Sequence, residues 1–290
     1  MRVWEQSEVK ENIPVYPVNI SITKPELTLH VRGDQHIGLK CVNIPKMTAA
    51  LKYEQDQHRD NIFVIDTGDM IENGLSSSIG HNYDAGISDP DEQVEEAKRL
   101  GNELDEHLYG DQYNSMEICT RSKTRHAKRI GVIGNHEYRT RKTSGIWLNK
   151  QLYGKEVKGV IDGGVRCIVS LRVQNRALGL IKTYKIYLAH RLTNSSAGIS
   201  HATLLKNFNQ VLKDVDADIY VCGHYHHKFV GCAHKFDSNG KKKKVMFVCN
   251  PSPADVTEYG LWGLYSPNGG GFYSNLYLPV EKHRNAYGII

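Results

Sequence analysis

Asp34-Gln35-His36, Gly68-Asp69, Gly134-Asn135-His136-Glu137, His190 and Gly223-His224-Tyr225-His226 follow one another along the chain. They offer seven ligand candidates: Asp34, His36, Asp69, Asn135, His190, His224 and His226. Carboxylate, amide oxygen and imidazole, with no thiolate among them, are the donors a pair of divalent first-row cations wants. Two such cations about 3.5–4 Å apart can grip the oxygens of a phosphate during in-line displacement. The ordered series therefore points to a two-metal hydrolase, where a lone Gly-His-x-His would carry little.

The elements around these strings fit that chemistry. Leu27, Leu29 and Val31 alternate with polar neighbours and run into Asp34, as a strand ending in a ligand loop would. Ile62 to Ile65 and Ile130 to Ile133 are short apolar runs that stop at Asp69 and Asn135, which predicts buried strands. A helix is expected around Met47 to Leu51. Ligands at successive strand ends share one crevice beyond the carboxyl edge of a sheet. Glycines 33, 68, 134 and 223 precede ligand residues, where a missing side chain permits sharp bends. Asp89-Pro90 followed by Val94, Ala97, Leu100, Leu104 and Leu108 predicts an amphipathic helix. The pattern also predicts a helix over 144 to 153, a hairpin over 165 to 173 and 181 to 188 ending at His190, and a helix through Leu204 to Leu212. Asp218 to Cys222 is read as a strand leading into the Gly223 string. Two runs, 228 to 236 and 244 to 249, flank the turn signal Ser238-Asn239-Gly240, and one more strand is expected near 272 to 278.

The series D-x-H, G-D, G-N-H-E, H and G-H-x-H, over residues 34 to 226, resembles the calcineurin-like metallophosphoesterase superfamily. The resemblance implies an α/β fold of two mixed β-sheets packed face to face and flanked by helices, an αββα sandwich. It implies that Asp69 bridges two ions, that Asp34, His36 and His226 complete the first site, and that Asn135, His190 and His224 complete the second. It further implies attack by a metal-bridging hydroxide, with Asp69 and His136 as the catalytic pair and His136 as general acid, help worth typically about 10²–10⁴-fold. Glu137 is left to orient His136 or another group nearby.

The flanks bear on substrate. Protein phosphatases of this superfamily carry one arginine shortly after G-D and another directly before G-N-H-E. Here Met70-Ile71-Glu72-Asn73 and Val132-Ile133 stand instead. Asp34-Gln35-His36-Ile37-Gly38 is similar to the D-x-H-h-G form (h being apolar) of the nuclease and phosphodiesterase branches, although those nucleases usually have aspartate where this chain has Glu137. Basic residues at 121 to 129 and Arg139 to Lys142 flank the Asn135 string, which suits DNA or RNA if they border the cleft and a solvated basic face otherwise. Asn135, His136, Arg139 and Tyr225 are the candidate substrate contacts, and Tyr138 or Tyr225 could pack on a base. The expected activity is a phosphodiesterase acting on nucleic acid or nucleotides. The alternatives are a phosphomonoesterase on a small or protein substrate, and a non-catalytic scaffold of the same fold. Manganese is the default metal, with iron, zinc, cobalt and nickel also compatible.

A chain of 290 residues with 40% apolar and 24% charged residues can bury a full core and is not wholly disordered. One domain over 1 to 290 is expected, with an insertion at about 70 to 128 and a C-terminal segment, 251 to 290, that gives little signal. The absence of a long apolar run or signal-like start predicts a soluble cytoplasmic protein without membrane contact. The six cysteines form no C-x-x-C pair and read as reduced thiols. The net charge of +5 permits an anionic substrate without demanding one. Protein partners are left open by the sequence. His30, Asp66 and His201 are read as structural or surface residues, and His227 as turned away from the His226 side.

Overall fold

A computed structural model describes residues 12–58, 61–74, 86–109, 127–153, 159–193, 200–236, 240–254 and 273–280. Most of the basic segment 121 to 129, the loop beyond Gly74, part of the 238 to 240 turn and most of the C-terminal segment lie outside the described residues.

Two mixed sheets make up the fold. The six-stranded sheet has the order β1 (Val15–Ile22), β6 (Arg166–Asn175), β7 (Leu180–Ala189), β8 (Ile219–Cys222), β10 (Lys242–Cys249), β9 (Phe229–Phe236). The five-stranded sheet has the order β11 (Ser274–Pro279), β2 (Glu26–Arg32), β3 (Ile62–Asp66), β4 (Arg129–Gly131), β5 (Val160–Asp162). β2 to β5 run parallel and β11 antiparallel. Leu29, Val31, Phe63 and Ile65 of one sheet share a core with Val169, Leu171, Ile186 and Val221 of the other, so the sheets pack face to face. In β6 the inward residues Cys167, Val169, Leu171 and Val173 alternate with more exposed ones, the period of two of a strand with one buried face.

Helices cover both outer faces. α5 (His201–Asp214) packs Leu204, Phe208 and Val211 against Tyr220 and Phe247. α1 (Ile44–His58) and α2 (Pro90–Tyr109) contribute Met47, Leu51, Val94 and Leu100 to a cluster on the opposite side, while Leu108 meets Ile62 and Val64 of β3. Each such fully buried aliphatic or aromatic side chain contributes about 1.5–3 kcal/mol. α2 begins as its sequence predicts, with Asp89 Oδ1 accepting from the Asp91 nitrogen at 2.8 Å.

The expected helix over 144 to 153 is corrected. Only Asn149–Leu152 forms a short helix, α4, and the longer helix α3 lies upstream at Asn135–Ser144. Gly145, at φ 75°, ends α3, as a left-handed residue after the last turn does. β1 and β5 carry no signal in the sequence reading. β1 adds to the six-stranded sheet parallel to β6.

Beneath the ligand loops lies a buried ionic chain. Asp66 Oδ1 is 2.5 Å from Arg32 Nε, Asp66 Oδ2 is 2.7 Å from Arg129 Nη1, and Arg129 Nη2 is 2.5 Å from Asp105 Oδ2. It ties β2, β3 and β4 to α2. The two guanidinium charges hold the Asp66 carboxyl below its usual range against the effect of burial.

Candidate metal centre

Every ligand string follows a strand at its carboxyl end. Asp34 and His36 lie beyond β2, Asp69 beyond β3, Asn135 beyond β4, His190 directly after β7, and His224 and His226 beyond β8. Parallel strands deliver these loops to one edge. The loops then brace each other: Asp34 N–H donates to the Gly68 carbonyl at 2.8 Å, and Ile37 pairs with Ile71 across an isolated bridge.

Six non-glycine residues among those described have positive φ, and five are expected ligands: Asp34, His36, Asp69, His224 and His226. The sixth is Asn73, whose Nδ2 donates to the His136 carbonyl at 2.6 Å and to Thr140 Oγ1 at 2.8 Å. Left-handed backbone is uncommon outside glycine and costs on the order of 1–3 kcal/mol per residue, a strain that clusters at functional sites. Glycine is required where these loops meet. A Cβ at Gly134 would collide with Asp69 Oδ1, and one at Gly223 with Asp34 Oδ2.

The donor atoms of Asp34, His36 and His226 lie within 4.8 Å of one another, and so do those of Asp69, His190 and His224. Asn135 joins the second group, its Oδ1 lying 2.9 Å from His190 Nε2, which is also 3.0 Å from Asp69 Oδ2. His190 Nδ1 donates to the Thr67 carbonyl at 2.8 Å, so its Nε2 is the nitrogen left for a cation. Asp34 Oδ1 accepts from His224 N–H at 2.7 Å and lies 3.6 Å from His226 Nε2. His36 Nε2 is 3.0 Å from His226 Nε2. All seven candidate ligands are thus gathered at one edge.

Their titration reflects crowded, buried charge. Burial, opposed by the His190 charge, pushes Asp34 up to about 7. Burial works against a charged His36, yet its hydrogen bond and attraction to Glu72 hold it at about 9. For His190 the same burial is outweighed by Asp69, again giving about 9. Asp69 is held well below the carboxylate range, the His190 and His136 charges outweighing burial. Burial and the neighbouring His190 charge lower His224 to about 3.

Four residues missing from the expected set shape the centre. Glu72 Oε2 accepts from His36 Nδ1 at 2.7 Å and lies 3.3 Å from His136 Nδ1. His136 Nδ1 faces the Glu72 carbonyl oxygen, while its Nε2 accepts from Arg139 Nη2 at 3.1 Å and lies 3.8 Å from Asp69 Oδ2. Glu72 thus forms a third close group, with His36 and His136. Because it meets the opposite nitrogen of His36 from the one facing His226, it orients the imidazole, as carboxylates behind metal-binding histidines do. Asn73 ties this loop to α3 through the His136 carbonyl and Thr140. Asn250 and Ser252, beyond β10, donate to the backbone carbonyls of Gly33 at 3.2 Å and Asp34 at 2.7 Å. A carboxylate in the Asp69 loop, and polar residues beyond a strand ending at the same edge, were the available signals.

Glu137 orients backbone, not His136. Its carboxylate accepts from the nitrogens of Gly134, Asp69, Met70 and Ile71 at 2.8, 3.1, 2.6 and 3.3 Å. Of the candidate substrate contacts, Asn135, His136 and Arg139 lie together at the cluster. Tyr225 does not open toward it: the ring is 9% exposed within the core beside α5, packs edge-on to His224 at 5.2 Å, and accepts from Leu192 N–H at 3.3 Å. His30 and Asp66 are buried away from the cluster. His201 and His227 pack against each other, ring centroids 5.4 Å apart.

No protein-family model and no curated protein sequence matches the chain. Among solved structures it is similar to Vacuolar Protein Sorting 29 (Vps29) from Cryptosporidium parvum, at 15% identity over 91% of this chain and 97% of that one, with a TM-score of 0.38. A predicted phosphoesterase from Streptococcus pneumoniae is 11% identical over 88% of this chain and 85% of that one, with a TM-score of 0.32. Vps29 from Entamoeba histolytica, solved with Zn²⁺, is 14% identical over 86% and 85%, with a TM-score of 0.35. Likeness this distant carries no activity over to this chain. The two face-to-face sheets with flanking helices are the architecture that the motif resemblance implies.

Proposed function

We propose that the chain is a two-metal phosphoester hydrolase, and within that class a phosphodiesterase acting on nucleic acid or nucleotides. The observation that carries this reading is the pair of three-residue donor groups, Asp34-His36-His226 and Asp69-His190-His224, gathered at one sheet edge. The donors fit divalent cations: all are oxygen or imidazole nitrogen, and two imidazoles are turned by carbonyl or carboxylate partners so that one nitrogen faces the group.

In this reading Asp34, His36 and His226 would hold one ion and Asn135, His190 and His224 the other, with Asp69 shared between them. Bound there, the ions would supply Lewis acidity to a phosphoryl group and neutralise its charge. Glu72 and Arg139 fix the His136 ring between them, and as general acid His136 would act from Nε2, which must first take up a proton in place of the hydrogen bond it accepts from Arg139. Arg139 adds a positive charge beside His136. Among the described residues no helix is long and apolar enough to cross a membrane.

Hydrolysis of bis(p-nitrophenyl) phosphate and p-nitrophenyl phosphate by manganese-loaded protein, against an Asp69→Asn control, tests the reading. Preference for the diester, lost in the control, is expected. Preference for the monoester overturns the diesterase assignment, and no turnover above the control overturns the hydrolase.

A further inference from the structure

The outer half of α3 carries a side-chain unit that chemistry at the metal cluster leaves unused. The Arg141 guanidinium sits on the face of Trp147, 3.5 Å from its centroid, and Arg141 Nη1 donates to the Tyr138 hydroxyl at 3.0 Å. The Tyr138 and Trp147 rings meet nearly perpendicular at 6.2 Å, and Lys142 Nζ lies 5.3 Å over Tyr138. Two aromatic rings and two cations thus form one block, none of it fully buried. It is not needed to end the helix, since the Gly145 N–H already caps α3 by donating to the Arg141 carbonyl at 2.9 Å.

Its place on the helix ties the block to the centre. At about 100° per residue, Tyr138, Lys142, Asn135 and Arg139 fall within roughly one quadrant of α3; Arg141 lies about 60° further round than Tyr138 and about 9 Å along the axis from Asn135, and its contacts with the Tyr138 hydroxyl and the Trp147 ring join the block to the edge of that face. A strand with one phosphate beside Asn135 and Arg139 would run along this face and bring a neighbouring nucleotide onto the block. Arg139, Arg141 and Lys142 complement a phosphodiester backbone. A guanidinium plane held against an indole, with a phenol ring beside it, offers surfaces on which an unpaired base stacks. Duplex bases keep those faces hidden.

We infer that Tyr138, Arg141, Lys142 and Trp147 form a docking shelf for a nucleobase next to the phosphate bound at the cluster, in single-stranded nucleic acid. The inference rests on the phosphodiesterase reading, and it deepens that reading from the phosphoester to the strand around it.

Anisotropy of a labelled oligothymidylate with phosphorothioate linkages, titrated with the manganese-loaded full chain, tests the shelf. Trp147→Ala and Arg141→Gln should each weaken binding on the order of tenfold to a hundredfold, the scale of losing one stacked base. Trp147→Phe should largely restore it. Binding of a blunt duplex should be unchanged in Trp147→Ala and should fall less than single-strand binding in Arg141→Gln, which removes one backbone cation, while turnover of bis(p-nitrophenyl) phosphate, which has no neighbouring nucleotide, should be unchanged. Single-strand binding unaltered in correctly folded Arg141→Gln and Trp147→Ala proteins, or equal weakening for duplex and single strand, overturns the shelf. These binding losses in the variants, with no diester hydrolysis by the wild-type chain, support the shelf and overturn the hydrolase reading alone.

Discussion

The Glu137 carboxylate accepts a 2.6 Å hydrogen bond from the Met70 backbone nitrogen, 67 residues away in sequence. Through its three further backbone partners it fastens the Asp69 loop to the start of α3. A buried carboxylate serving four N–H groups cannot be removed without leaving them unpaired. Glu137→Ala is expected to lower metal affinity about 10–100-fold, the range for outer partners of metal ligands. Isothermal titration with Mn²⁺ measures this, and unchanged affinity would mean that the loop holds its shape without the clamp.

Glu72 acts on two imidazoles at once. Glu72→Gln keeps its size and removes its charge, so His36 and His136 lose the anion that orients them. Turnover is expected to fall about 10–100-fold with the bound metal count retained. Loss of metal with no loss of turnover per bound ion would instead make Glu72 a ligand.

Metal binding should release protons. In the metal-free chain His36 and His190 titrate near 9 and Asp34 near 7. Cations bind the deprotonated donors, so affinity should rise with pH through neutrality toward about 9 and fall below it. Calorimetry at pH 7 in buffers of different ionisation enthalpy should report more than one proton released per chain on saturation. Zero release would contradict the protonated resting state.

His30 makes stability depend on acid. It is buried on β2, with Nδ1 2.8 Å from Asn275 Oδ1, and burial lowers its pKa to about 4. The unfolded chain binds the proton first as pH falls, so stability is full above about 6.5 and declines toward about 4, by on the order of 3 kcal/mol. Denaturant unfolding of the metal-free protein should show this slope, and His30→Leu should make it shallower. Equal slopes would place the acid sensitivity elsewhere.

The strands that carry ligands were legible because each combines a short apolar run with a glycine and a polar ligand, as in Ile62 to Asp69. α3 was not, since Asn135 to Ser144 has no apolar stripe to read; it is fixed by the Glu137 and Gly145 ends and by its place over the cluster. β1 also escaped, because its half-exposed pattern follows from parallel pairing with β6, about 150 residues on. The seven candidate ligands could be named from strand ends and motif order, whereas Glu72, Asn73, Asn250 and Ser252 act through hydrogen bonds whose partners lie far off in sequence. Tyr225 shows the converse: its neighbours are ligands, yet its own ring turns into the core.

Stepwise addition of Mn²⁺ to metal-free protein, following bis(p-nitrophenyl) phosphate hydrolysis at each step, tests the two-metal account most directly. Activity should climb and level off at two equivalents per chain. A plateau at one equivalent, or no hydrolysis at any loading, would contradict it.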